Sequence, residues 1–288
     1  MKSTPTIIPS RYGRGSDHRN NSFMYSPARL AVKYLQYYFT ALNGKGHGMH
    51  SPFVFRMIRD VFMDKKEYPE YAKAEALRAD LLRDERWLAV ADLGAGSATG
   101  AGSSRQVKSI AKHAAKPRKL ARLLFRIARH YGSQHILELG TSLGITSTYF
   151  SLAQPTAAVT TMEGAPAIAQ CARENFHKLG LGNIQVIEGN FDETLQPALA
   201  QLPAQDLIFL DGNHRFEPTV RYFEQILPYI HDDTIVILDD IHWSPEMEQA
   251  WHQVISHERV RCSIDLFFIG IVLFRPAFHE EQHFSIRF

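Results

Sequence analysis

The chain has 288 residues, 45% hydrophobic and 22% charged, with a net charge of +2. That composition is ordinary for a globular protein with a sizeable core, arranged as one large domain or a domain plus an extension. No apolar run approaches the roughly 18 residues of a membrane-spanning helix. Cys171 and Cys262, outside any C-x-x-C arrangement, exclude a disulfide framework, so a reducing cytoplasm is the expected compartment.

Residues 1–24 are polar, with prolines, glycines and scattered arginines, and read as a disordered tail lacking the apolar centre of a secretory signal. A helical region, 25–85, follows. Ser26-Pro27 suits an N-cap with proline at the first helical position. Leu30, Tyr34, Tyr37, Tyr38 and Ala41 then form a helical stripe, a candidate homodimer interface, and Gly44 is a natural stop. His47 and His50 lie in the next loop without a nearby Cys or acidic partner, which favours packing and capping over metal binding. A second helix enters at Ser51-Pro52 and is expected to bury Phe55, Ile58, Val61 and Phe62; a third spans Pro69 to Asp84.

Residues 86–115 read as a glycine- and serine-rich connection. Within it, Asp92-x-Gly94-x-Gly96 imitates a cofactor loop, but the next strand ending in an acid stops at Glu138, about twice the usual interval of roughly 20 residues. The stretch is therefore expected to be a flexible connection, a candidate lid. Between Arg105 and Arg129 stand nine Lys or Arg residues and no Asp or Glu. Nucleic acid or an anionic substrate would suit such a face; a solvated helix face is the plainer reading.

From His135 the pattern changes. HILELGTSLGITSTYF, His135–Phe150, reads as a buried strand, a turn with Gly140 and Gly144, and a helix start. Alternation continues with strands at 158–163, 184–188, 206–210 and 234–239, helices at 166–179, 217–229 and 245–256, and closing apolar runs Val260 to Leu266 and Ile269 to Phe274. Such alternation implies an α/β, doubly wound sheet with right-handed crossovers, mostly parallel, its last strand antiparallel. The Glu138-x-Gly140-x-x-x-Gly144 spacing lacks the third glycine of G-x-G-x-x-G and serves a diphosphate poorly. Glu163, ending the second strand, is placed to accept hydrogen bonds from ribose hydroxyls, so a nucleoside fits better than a dinucleotide.

LELGTSLGITS resembles the first motif of class I S-adenosylmethionine-dependent methyltransferases, most closely the catechol and caffeoyl-CoA O-methyltransferase branch, over roughly Lys116 to Arg275; residues 44–55 resemble an extension found on bacterial members. The resemblance implies a Rossmann-like methyltransferase domain at 116–288 and S-adenosyl-L-methionine as cofactor. The expected cofactor contacts are Glu138, Gly140, Thr141, Ser142, Gly144, Glu163, Asn190, Phe191 and Asp211. Strand-end acids Asp211, Asp239 and Asp240 should converge at one mouth, where three carboxylates repel unless a cation intervenes; a hard divalent ion such as Mg²⁺ is the natural occupant. In the resembling branch the fourth strand ends in Asp-x-x-Lys, with the lysine as base, and the fifth in Asp-Asn. Here those positions hold Asp211 with His214, and Asp239 with Asp240. His214 is therefore the expected general base, with Asp211 beside it, and Trp243 and His242 are candidate walls of the acceptor pocket.

The expected activity is methyl transfer to a hydroxyl of a small molecule. A ribose or other nucleic-acid methyltransferase is one alternative, and a non-catalytic S-adenosylmethionine-binding protein is another. A nucleotide-dependent oxidoreductase is disfavoured by the missing third glycine.

Overall fold

The computed structural model describes residues 24–42, 44, 50–90 and 103–288. Residues 1–23 of the expected tail, His47 and the Asp92-x-Gly94-x-Gly96 stretch lie outside the described residues.

Buried strands of a parallel sheet read as continuous apolar runs, and these form the centre of the molecule. β3 (His135–Leu139), β4 (Ala158–Glu163), β5 (Ile184–Glu188), β6 (Gln205–Leu210) and β7 (Ile230–Asp239) are parallel, and β8 (Cys262–Asp265), β9 (Ile269–Leu273) and β10 (Gln282–Ser285) complete the sheet. The order is β10-β8-β9-β7-β6-β3-β4-β5, with β9 antiparallel to both of its neighbours. Successive side chains of a strand face opposite ways. Ile136, Val159, Leu207, Phe209, Ile235 and Ile237 accordingly share one apolar cluster with α5 (Arg118–His130) and α6 (Ile145–Ala153). Leu137, Leu139, Met162, Ile208, Leu210, Val236 and Leu238 share the other with α8 (Phe191–Leu199), α9 (Phe216–Ile226) and α10 (Pro245–Ile255). Helix α7 (Pro166–Leu179) lies on the first face.

The N-terminal helices pack onto this frame. α1 (Pro27–Thr40) starts as its sequence predicts, with the Ser26 side chain accepting from Arg29 N and Pro27 in the first turn. Its stripe is largely spent within the chain: Tyr34 and Tyr37 meet Phe267 at ring-centroid distances of 5.1 and 5.3 Å, while Tyr38 stays exposed. Leu42 exchanges backbone hydrogen bonds with Ser285 and Arg287, tying the end of α1 to edge strand β10. α2 (Pro52–Met57) continues as a π-helical turn over Ile58–Phe62. It buries Val54, Met57, Ile58, Val61 and Phe62. Phe55, expected in the core, is 41% exposed, because it sits about 100° around the helix from the Val54 stripe. α3 (Glu70–Leu81) adds Tyr71, Ala74 and Leu77 to the cluster of α5 and α6.

The basic run resolves into structure as well. β1 (Trp87–Val90) and β2 (Ser103–Gln106) pair antiparallel, and α4 (Val107–Ala114) follows where an irregular connection was expected. On α5, Leu120, Leu123, Leu124 and Ile127 are buried, each worth about 1.5–3 kcal/mol on full burial. The opposite stripe faces acids of the N-terminal region: Arg118 meets Glu75 (2.6 Å), Arg122 meets Glu67 (2.7 Å) and Arg129 meets Glu70 (3.2 Å). Arg126 donates to the Val61 carbonyl (2.8 Å). The basic face is an internal docking face for the N-terminal helices.

A close contact gives one test of the packing. A Cβ added at Gly270 of β9 would stand 2.5 Å from the buried Trp251 ring of α10. Gly270→Ala is therefore expected to lower stability by about 1–3 kcal/mol, read as a shifted urea midpoint with an unchanged slope. An unchanged midpoint would mean that Trp251 yields freely.

Candidate functional site

Ligands of open α/β sheets bind outside the carboxyl ends of the strands, where the strand order reverses. Here β3 has β4 on one side and β6 on the other. At that point lies a cavity of about 580 Å³. Gly140, Ser142, Glu163, Asn190, Phe191, Asp211, His214, Asp239, Asp240 and Trp243, all predicted from sequence, line it.

The turn after β3 explains the glycine spacing. Gly140 has φ +111°, and a Cβ there would collide with the Asp211 carbonyl, so glycine lets the ends of β3 and β6 close together. Gly140 N and Thr141 N both donate to Met162 O at 3.0 Å. Glu138, Thr141 and Gly144, expected to touch a cofactor, do not line this cavity, and each helps to shape the turn after β3. Glu138 is fully buried, its Oε2 accepting from the Ser147 and Thr161 hydroxyls. Burial pushes its carboxyl up to about 7. Thr141 shares a 2.6 Å hydroxyl hydrogen bond with Thr161, and Gly144 caps α6 in the left-handed region with Phe176 packed against it.

At one end of the cavity, Glu163 Oε2 accepts from Ser142 N (2.8 Å) and Oε1 from Ala165 N (2.9 Å). Burial raises its pKa against these backbone donors. Asn190 caps α8, a helix the sequence reading left out, by accepting from Asp192 N (3.2 Å). Phe191 packs edge-on to Tyr222, with ring centroids 5.9 Å apart, and against Gly212.

At the other end the strand-end acids do converge. Their cation is a lysine of the chain itself. Lys116, between α4 and α5, places Nζ 2.9 Å from Asp211 Oδ1 and in contact with Asp239 Oδ2. Burial opposes its charge, but the carboxylates of Asp211, Asp239 and Asp240 outweigh that penalty and raise its pKa. Burial also pushes the Asp211 carboxyl up, and that of Asp240 up to about 7. His214 Nε2 lies 3.6 Å from Asp211 Oδ1, an ion-pair separation and not a hydrogen bond. Burial lowers the His214 pKa and favours neutral imidazole.

Backbone strain marks the same loops. Of the four non-glycine residues with positive φ among the described residues, Ser142, Asn213 and Asp240 follow β3, β6 and β7. Strain of this kind costs about 1–3 kcal/mol per residue and gathers where function fixes geometry. His242, expected on the pocket wall, points away from it: its ring nitrogens bond Glu248 Oε1 (2.9 Å) and Asp265 Oδ2 (2.8 Å). Trp243 and Phe268 wall this end.

Known proteins share this architecture. The S-adenosylhomocysteine-bound methyltransferase of Podospora anserina superposes with a TM-score of 0.55 at 16% identity, over 79% of this chain and 97% of that one. The O-methyltransferase TomG of Streptomyces achromogenes, in complex with S-adenosylmethionine, gives 0.52 at 17% identity, over 75% and 96%. At such identities the likeness speaks for the fold. Residues 137–241, from β3 to the end of β7 and just beyond, match a family described as a methyltransferase domain. The fold is a Rossmann-like methyltransferase fold, and the matched residues span its parallel strands β3 to β7.

An uncharacterized protein of Acanthamoeba polyphaga mimivirus is 29% identical over 79 residues, 26% of this chain and 36% of that relative. The aligned stretch thus spans about a third of the relative's length.

Within the matched stretch, Asp211, His214 and Asp239 offer ligand atoms within 4.8 Å of one another. Lys116 Nζ already contacts both of those carboxylates. A divalent ion added there would face an ammonium at close range. That repulsion opposes the pull of the two carboxylates, which the ammonium already partly neutralises, and an ion seated between them would have to displace Lys116. With Lys116 in place, the residues do not fit a divalent cation. Sequence reasoning missed this lysine because nothing in a run of nine basic residues singles it out. The available signal was the demand of three converging carboxylates for a cation.

Proposed function

We propose that this chain transfers a methyl group from S-adenosylmethionine to a hydroxyl of a small-molecule acceptor in the cytoplasm. The observation that carries the reading is one cavity holding both a nucleoside-type end, Glu163 with Asn190 and Phe191, and a proton-accepting end, His214 beside Asp211. A half-buried carboxylate for a ribose diol, an aromatic ring and an amide are the groups a nucleoside site requires.

S-adenosylmethionine, when bound, supplies an electrophilic methyl group on a sulfonium leaving group. The chain has then to hold, orient and deprotonate. Glu163 would accept the ribose hydroxyls, and Phe191 would flank the base. Trp243 and Phe268 would clasp the acceptor with its oxygen toward His214. Neutral His214 would take the hydroxyl proton of the acceptor as its oxygen attacks the methyl group, and the thioether would leave.

The basic stripe of α5 lends little support to a nucleic-acid acceptor, because Glu67, Glu70 and Glu75 already pair with it. The test of the reading is methyl transfer from labelled S-adenosylmethionine to a panel of phenols, sugars and other alcohols. Turnover on none of them, with cofactor bound, would favour a non-catalytic binder.

The pH profile follows from His214. Its pKa is lowered by burial, so the active neutral form persists to below the ordinary value of 6.5. kcat/KM should therefore be flat near neutrality and fall as pH drops through a value below 6.5, with that limb missing in His214→Ala. A limb centred above 6.5 would contradict His214 as the base.

A further inference from the structure

Lys116 makes a connection that none of the motif residues makes. It reaches from the α4–α5 junction to the carboxyl ends of β6 and β7, contacting Asp211 and Asp239 together, and it lines the cavity. An ammonium carries three N–H donors. Two are engaged by those carboxylates, and the third remains for a group in the cavity. A point charge on a flexible stem, held there by two acids, occupies the position that a bridging metal ion would take between the same acids.

We propose that Lys116 is the built-in cation of this site: its ammonium takes the place of a divalent ion between Asp211 and Asp239 and donates its free N–H to the acceptor oxygen, so that methyl transfer needs no metal. The part concerning the acceptor rests on the methyltransferase reading above; the part concerning the cation does not. In the reaction, negative charge grows on the acceptor oxygen as His214 removes its proton. Lys116 then stabilises that oxygen through a donor already in position, which costs no rearrangement at the moment of reaction.

The test uses the full-length protein and Mn²⁺ alone, followed by electron paramagnetic resonance and by calorimetry. Wild type should show no saturable Mn²⁺ binding at millimolar concentration. Lys116→Ala should vacate the position and bind Mn²⁺ at least roughly tenfold more tightly than wild type, through Asp211 and Asp239. Lys116→Arg, which keeps the charge, should behave as wild type. Saturable Mn²⁺ binding by wild type that Asp211→Asn removes would overturn the proposal, as would a folded Lys116→Ala that binds none. The wild-type titration decides even where the alanine variant fails to fold. In parallel, wild-type turnover should be unchanged by EDTA, and turnover abolished by EDTA and restored by Mg²⁺ would also overturn it. Because Mn²⁺ binding is read without S-adenosylmethionine, failure of the cation claim is distinct from failure of the proposed activity.

Discussion

His214→Ala is expected to lower turnover by about 10²–10⁴-fold while S-adenosylhomocysteine affinity stays within about threefold of wild type. The separation follows from where the side chain stands. His214 lies on the connection after β6, on the cavity wall near Asp211 and Lys116, whereas Glu163, Asn190 and Phe191 come from the ends of β4 and β5. Burial keeps the ring neutral, so its loss removes a base without disturbing the nucleoside end. Single-turnover kinetics beside a binding titration read the two effects apart. Equal turnover in variant and wild type would remove His214 from the mechanism; loss of affinity alone would make it a binding residue.

Glu163→Ala should weaken S-adenosylhomocysteine binding by about 100-fold or more. Two hydrogen bonds to a charged acceptor contribute about 1.5–3 kcal/mol each, and each 1.4 kcal/mol is tenfold in affinity. Part of the effect passes through the protein itself, since the same carboxylate accepts from Ser142 N and Ala165 N and so holds the turn after β3. Glu163→Gln keeps one oxygen acceptor and should fall between wild type and alanine. Calorimetric affinities, with thermal unfolding as a control for the fold, measure both variants. Wild-type affinity in Glu163→Ala would place the nucleoside elsewhere.

The central strands were legible in the sequence because parallel strands buried on both faces leave unbroken apolar runs. β3 runs over the residues its sequence predicts, and so do β4, despite Thr160 and Thr161 inside it, and the half-buried edge strand β5. Their acidic ends were legible for the same reason: an acid after such a run stands at the sheet's carboxyl edge, where Glu163, Asp211, Asp239 and Asp240 gather around one cavity. Less was legible at the margins. α8 escaped because Pro197 lies inside it and Asn190-Phe191 reads as a loop. β10 is a short edge strand whose QHFS sequence carries little apolar signal. That Glu138 and Thr141 stand off the main cavity wall was not legible, because a motif gives the order of residues and not the side of the turn on which each lies. Lys116 and the partners of Arg118, Arg122 and Arg129 depend on contacts between distant segments, and composition shows only a run of charge.

Calorimetric titration of S-adenosylhomocysteine into the wild-type protein tests the central claim most directly. One-to-one binding with micromolar affinity is the predicted result, and it would tie the cavity at the ends of β3, β4 and β6 to the cofactor of methyl transfer. No detectable binding by a folded protein would contradict the account, leaving a methyltransferase architecture that serves another ligand.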